Sequence, residues 1–180
     1  MDDLLLRHIY ACARTQDFID TGVSHFVRKQ MPTVGALITK RWLDRSNDGD
    51  RLALLHATAV EADYSVDLRD FDEVYLQSIE LRNRLAHSGA LPTTEPGQLL
   101  IDRTPRQRGK GEDFLRLGVD DLRSRLARAE WLQAVAIHFC VELGAVSVSM
   151  TTHGGQELPI EVPAPPVSPP PRWYQDHDDG

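Results

Sequence analysis

The stretch DFDEVYLQSIELRNRLAHSG, residues 70–89, reads as one whole helix with its own start and stop. Asp70 with Glu73 three residues on has the spacing of a capping box, in which two side chains satisfy the free N–H groups of a first turn. Phe71, Val74, Tyr75, Ile79 and Leu85 recur at three- and four-residue intervals and make one apolar face. Gly89 suits the left-handed position just past a helix end, and Pro92 prevents simple continuation.

Working outward from that helix, every neighbouring segment reads as a further helix or a short strand. Leu5, Ile9, Cys12, Ile19, Val23 and Phe26 form one stripe over residues 4–28, which Pro32 stops. Thr33 can cap a second helix carrying Leu37, Ile38 and Trp42. The turn cluster Asn47-Asp48-Gly49-Asp50 feeds a third helix through Leu52, Leu55, Ala59 and Val60. Beyond residue 92, Leu99–Ile101 and Phe114–Leu117 can pair as a small β-hairpin around a polar, glycine-containing loop at 102–113. Asp120 then caps a long fifth helix running through Leu122, Leu126, Ala129, Val135, Ile137, Phe139 and Val141 to near Gly144. The expected fold is mainly α: a bundle of about five helices with a short hairpin before the last, over residues 1–148. Residues 149–180 form a Pro-rich extended or disordered tail; Pro159, Pro163, Pro165, Pro166 and Pro169–Pro171 favour polyproline conformation and cannot bury a core. Its composition suits a flexible tail, the other reading being Pro-rich docking on a partner.

Composition narrows the function classes. A chain of 180 residues with 41% apolar content can bury one core of ordinary size. The net charge of −7 argues against a protein that coats nucleic acid, while leaving room for a local basic patch. The acidic start Met1-Asp2-Asp3 is unlike a secretory signal and no apolar run reaches membrane-spanning length, so a soluble, cytoplasmic protein is expected. Cys12 and Cys140 read as two buried thiols.

The end of the fourth helix carries the chemistry. Arg82 supplies a permanent cation able to grip a phosphate in two places. His87 can exchange a proton near neutral pH, and Asn83, four residues before it, shares its helix face. These are parts sufficient to cleave a phosphodiester without a metal. The structural reading of the same residues is that cations oppose the negative end of a helix dipole and that Glu80 and Arg84 are spaced for an ordinary ion pair.

Arg82-Asn83-Arg84-Leu85-Ala86-His87 resembles the Arg-Asn-x-x-x-His signature of the HEPN superfamily. The resemblance implies a helical bundle that dimerises and a metal-independent RNA endonuclease, with no cofactor or metal. His87 would act as general base or acid, Arg82 would stabilise charge on the phosphoryl oxygens, and Asn83 would orient His87 or a phosphate oxygen. Five residues of ideal helix separate Arg82 and His87 by about 140°, so either the backbone leaves the helix near Ser88-Gly89 or a second copy completes the site. The resemblance implies the second, with two motifs meeting across a twofold interface. Arg84 and the loop residues Arg103, Arg106, Arg108 and Lys110 are candidate RNA contacts; Arg123, Arg125 and Arg128 read mainly as a solvated helix face. Roles in defence, stress response or a toxin system follow, with an antitoxin or defence-complex partner. Some toxins of that superfamily carry a Tyr two residues beyond the motif His that a partner nucleotidyltransferase modifies. Gly89 stands there in this chain, which departs from that form of control. The alternative is a non-catalytic HEPN-like module that binds RNA or protein.

Other chemistry is weak. His8, His25 and His56 read as surface or satisfied core residues, and His138 as core. His153 and the group Asp176, His177, Asp178 and Asp179 lack metal-ligand spacing. Gly109-Lys110-Gly111 is a turn, and the chain has neither a GxSxG elbow nor a dinucleotide fingerprint.

Overall fold

Helix α1 occupies Asp2–Gln30, α2 Pro32–Leu43, α3 Asp48–Glu61, α4 Phe71–His87 and α5 Val119–Glu142. Three strands, β1 (Ala90–Pro92), β2 (Gln98–Asp102) and β3 (Phe114–Gly118), lie between α4 and α5, and β4 (Ser149–Thr151) and β5 (Glu157–Pro159) follow α5. The computed structural model describes residues 2–43, 45–87, 90–92, 97–102, 114–151 and 157–171. The protein is mainly α, as the sequence leads one to expect. Among the described residues no helix is long and apolar enough to cross a membrane.

The chain divides into two compact units. The first gathers Met1–Cys12, Glu73–Leu132 and Ser168–Gly180. Its core is Leu81 of α4, Ile101 of β2, Leu117 of β3 and Leu122 of α5, with Leu4, Leu5, Leu85, Leu99 and Leu115 packed around them. Strand alternation explains the choice. Leu99 pairs with Leu117 and Ile101 with Leu115, so alternate residues of both strands present one apolar face. Full burial stabilises by about 1.5–3 kcal/mol for each such side chain. The expected hairpin is therefore β2–β3. Short β1 adds a third antiparallel strand, with Leu91 opposite Leu100.

Helix α5 departs from expectation at its start. Asp120 is not the cap: the helix opens at Val119, and Asp121 accepts from the Gly118 N–H at 2.9 Å, the carboxylate half of a capping box. Asp120 instead pairs with Arg123 at 2.9 Å in water.

The second unit gathers Ala13–Asp72 and Gln133–Val167. Ile19, Val23, Leu52, Leu55, Phe71, Val135 and Phe139 are buried there. Gly22 lets two helices approach closely, since a Cβ at that position would lie 2.6 Å from the Phe139 ring. The Asn47 side chain caps α3 by accepting from the Asp50 N–H at 2.9 Å. Helix α2 opens at Pro32, one residue before the expected Thr33 cap, because proline's fixed φ and missing N–H suit a first helical position. Leu37 and Val60, expected to face inward, are exposed. Gly35 and Thr39 are the buried side of α2, and Leu37 sits about 200° around the helix from each. Val60 is likewise about 140° around α3 from buried Leu55.

Gly144, at φ 71°, ends α5 in a Schellman motif: its N–H donates to the Val141 carbonyl at 2.9 Å, and Ala145 N–H to the Cys140 carbonyl at 2.8 Å. The described residues of the Pro-rich segment include regular structure. The segment begins with β4 paired to β5, and Ile160 N–H donates to the Val148 carbonyl at 2.7 Å.

Candidate functional site

Helix α4 carries the three motif residues, and their surroundings within the first unit differ sharply. α4 stays helical through His87, its final residue, so the chain does not bend away before the histidine. His87 is exposed and Asn83 half-buried. Arg82 is half-buried, and its Nε is sealed from solvent with no hydrogen-bond partner among the described residues. A guanidinium nitrogen desolvated in that way gains from any acceptor brought to it. Arg82 and His87 thus leave one continuous helix about 140° apart and do not converge on one atom within one chain.

Arg84 is differently engaged. Its Nη2 and Nε donate to Glu80 Oε1 at 2.6 and 3.2 Å, and the Arg84 side chain keeps only 11% of its exposure. This is the i,i+4 pair that the sequence spacing allows. The loop candidates Arg103, Arg106, Arg108 and Lys110 lie outside the described residues, as do Gly89, His153 and the Asp176–Asp179 group.

Behind the motif lies a buried polar cluster. The His8 ring Nε2 donates to the Ser78 carbonyl at 3.3 Å, since a carbonyl only accepts. The Cys12 thiol, four residues along α1, reaches the same oxygen at 3.6 Å. Burial pushes the His8 pKa down to about 4, the Ser78 bond opposing and the Arg125 charge adding to the fall. Burial pushes the Cys12 thiol up to about 12, with the Arg82 charge pulling the other way. His8 is therefore neutral at physiological pH and Cys12 an unreactive thiol. The same holds for Cys140, whose thiol burial raises to about 12 and which donates to the Phe18 carbonyl at 2.8 Å. Both cysteines are free and buried.

Two further histidines, His138 and His56, have partners within the second unit. His138 Nδ1 lies 3.2 Å from the Tyr64 hydroxyl oxygen and its Nε2 lies 3.6 Å from Glu142, while His56 pairs with Asp72 at 2.7 Å. Among the described residues no group of three or more His, Cys, Asp or Glu is placed to hold a metal.

The α5 arginines do not form one solvated face. Arg123 is exposed and pairs with Asp120, Arg125 is half-buried, and Arg128 is 6% exposed. Arg128 Nη1 donates to the Pro170 carbonyl at 2.9 Å, and Ser124 Oγ lies 3.4 Å from the Pro171 carbonyl. Sequence reasoning missed this contact. The available signal was a polar stripe, Asp121, Ser124, Arg125 and Arg128, along one side of the helix, which reads equally well as facing water.

Comparison with family models, with curated proteins and with solved structures returned no match to this chain.

Proposed function

We propose that the chain is a metal-independent RNA endonuclease of HEPN type, with Arg82, Asn83 and His87 as its site and a role in defence, stress response or a toxin system. The observation that carries this reading is the end of α4. There a solvent-facing His87 and an Arg82 whose Nε has no acceptor among the described residues accompany Asn83 in the six-residue signature. Histidine at a helix end is poised for proton transfer, and the guanidinium matches a phosphate.

In the reaction, the RNA 2′-oxygen forms a bond to the adjacent phosphorus while the bond from phosphorus to the 5′-oxygen breaks. His87 takes the 2′-hydroxyl proton or supplies one to the departing 5′-oxygen, and Arg82 offsets charge on the non-bridging oxygens. The products are a 2′,3′-cyclic phosphate and a 5′-hydroxyl. Because Arg82 and His87 diverge by about 140° on one helix, a homodimer completes the site, one copy supplying the arginine beside the histidine of the other. An antitoxin or another member of a defence complex would regulate it.

The test is RNA cleavage in EDTA by the wild-type chain, Arg82→Ala and His87→Ala, with the product ends identified. Cleavage to cyclic-phosphate ends, lost in both variants, is expected. Mixing the two inactive variants should restore part of the activity, because a mixed dimer holds one intact site. Products ending in 5′-phosphate, or activity that needs magnesium, would overturn the mechanism. A fully active monomer would overturn the shared site.

The second reading is a non-catalytic HEPN-like module that binds RNA or a protein partner. It is favoured by the Arg84–Glu80 pair and by the half-buried Arg82, both of which suit a structural helix end. It predicts a folded dimer that binds without cleaving.

A further inference from the structure

The tail contact on α5 covers a guanidinium that is buried. Arg128 is 6% exposed, and among the described residues no carboxylate pairs with it. Its described acceptor is a neutral carbonyl, that of Pro170 at 2.9 Å. Ser124, four residues earlier on the same face and 4% exposed, addresses the next carbonyl, that of Pro171, at 3.4 Å. Two donors on one helix face thus read two consecutive oxygens of an extended chain.

The covering segment is thin. Pro169 and Pro170 are half-buried, and Ser168 and Pro171 are exposed. Prolines offer acceptors without N–H donors and are pre-set in extended form, so little ordering is lost when they dock. A segment with so few buried contacts opens at low free energy. A guanidinium and a hydroxyl are also donors suited to phosphate oxygens, which accept more strongly than a carbonyl because they are charged.

We infer that Ser168–Pro171 is a displaceable strap over a phosphate-contacting surface on α5, made by Arg128 and Ser124, and that the RNA backbone and the strap compete for these donors. This rests on the RNA reading above and adds to it a contact and a means of control. Arg128 binds RNA only when the strap is off.

The experiment uses the full-length chain and a 12-nucleotide single-stranded RNA carrying 2′-O-methyl groups, which cannot be cleaved. Binding is measured across a salt series, and hydrogen exchange is followed at the Val167 and Ser168 amides. The variant P169G/P170G/P171G weakens the strap through chain entropy and should bind the RNA about tenfold more tightly. Adding R128Q to it should abolish that gain and lower the salt slope by about one. RNA should speed exchange at Val167 and Ser168 in the wild type, and R128Q alone should speed it without RNA. RNA that binds with equal affinity to wild type and the glycine variant, leaving exchange unchanged, overturns the strap and leaves the RNA reading standing. Binding to none of the chains, each confirmed folded by circular dichroism, overturns the RNA reading and the masking role together. Faster exchange in R128Q would then show that the tail contact is purely structural.

Discussion

His8 and His87 belong to the same unit and both bear on α4, one against its side and one at its end, in opposite circumstances. His8 is sealed at 1% exposure, its Nε2 bonded to the Ser78 carbonyl and its Nδ1 without a partner among the described residues, and burial holds it neutral. His87 is exposed on the last residue of its helix. The arginines repeat the contrast: Arg84 is tied to Glu80, whereas Arg82 keeps a desolvated Nε with no described partner. Polar groups that a fold needs acquire partners from the fold, because an unsatisfied buried donor is costly. On the proposed reading, the exposed His87 and the half-buried Arg82 at the end of α4 are the groups offered to a ligand. The comparison therefore separates residues whose loss should be felt in stability from residues whose loss should be felt in activity.

The largest effect expected from that division is at His87. His87→Ala should lower RNA cleavage by about 10³-fold, within the range that removing a general acid or base costs. It should move the urea-unfolding free energy by no more than about 0.5 kcal/mol, since the side chain is exposed. A loss of stability above about 1 kcal/mol would place His87 among the structural groups and break the comparison on its functional side.

His8 tests the other side through pH. Its folded pKa, about 4, lies below the ordinary value of 6.5, so between those pH values the unfolded chain binds more protons. Stability from neutral His8 is fully present above about pH 6.5 and is lost as pH falls through the window toward about pH 4. A shift of this size corresponds to roughly 3 kcal/mol across the window. Urea melts at pH 7.5 and pH 4.5 should show a steeper acid loss in the wild type than in His8→Gln, which cannot titrate there. Parallel losses would mean that His8 is solvated in the folded state. RNA cleavage by His8→Gln at pH 7.5 should stay close to wild type.

The division also explains what can be read from the sequence. The helical class, both ends of α4 and the β2–β3 pairing rest on local periodicity, and residues two, three or four apart report it directly. Strand β1 is not legible because three residues ending in Pro92 carry no alternation to count. Asp120 and Asp121 are equivalent acids in the sequence, and only the backbone at Gly118 decides that Asp121 is the cap. Leu37 and Val60 show that an apolar residue on a helix need not join its buried face. The residues of the proposed site are legible because all three fall within six positions. The Arg128–Pro170 contact is not, since its partners lie 42 residues apart and neither end carries a pattern pointing to the other.

The smallest expected effect sharpens the boundary between the two classes at Arg84, which sequence spacing alone assigns equally to RNA and to Glu80. Its side chain is 11% exposed and Glu80 47%, so the pair is only partly screened from water. Pairs of this spacing contribute about 0.5 kcal/mol, and the bond cannot be worth much more with one partner so open to solvent. Arg84→Gln should therefore cost about 0.5 kcal/mol, and Glu80→Gln about the same. The double variant should cost less than the two losses added, because each single change already removes the one interaction they share. RNA cleavage should stay within about threefold of wild type in all three, since an Arg84 held against Glu80 and 11% exposed presents little of its guanidinium to a phosphate. A fall beyond about tenfold confined to Arg84→Gln, with Glu80→Gln unaffected, would instead move Arg84 into the site beside Arg82. In that event a group with a protein partner would also serve a ligand, and pairing with Glu80 would not exclude Arg84 from the proposed site.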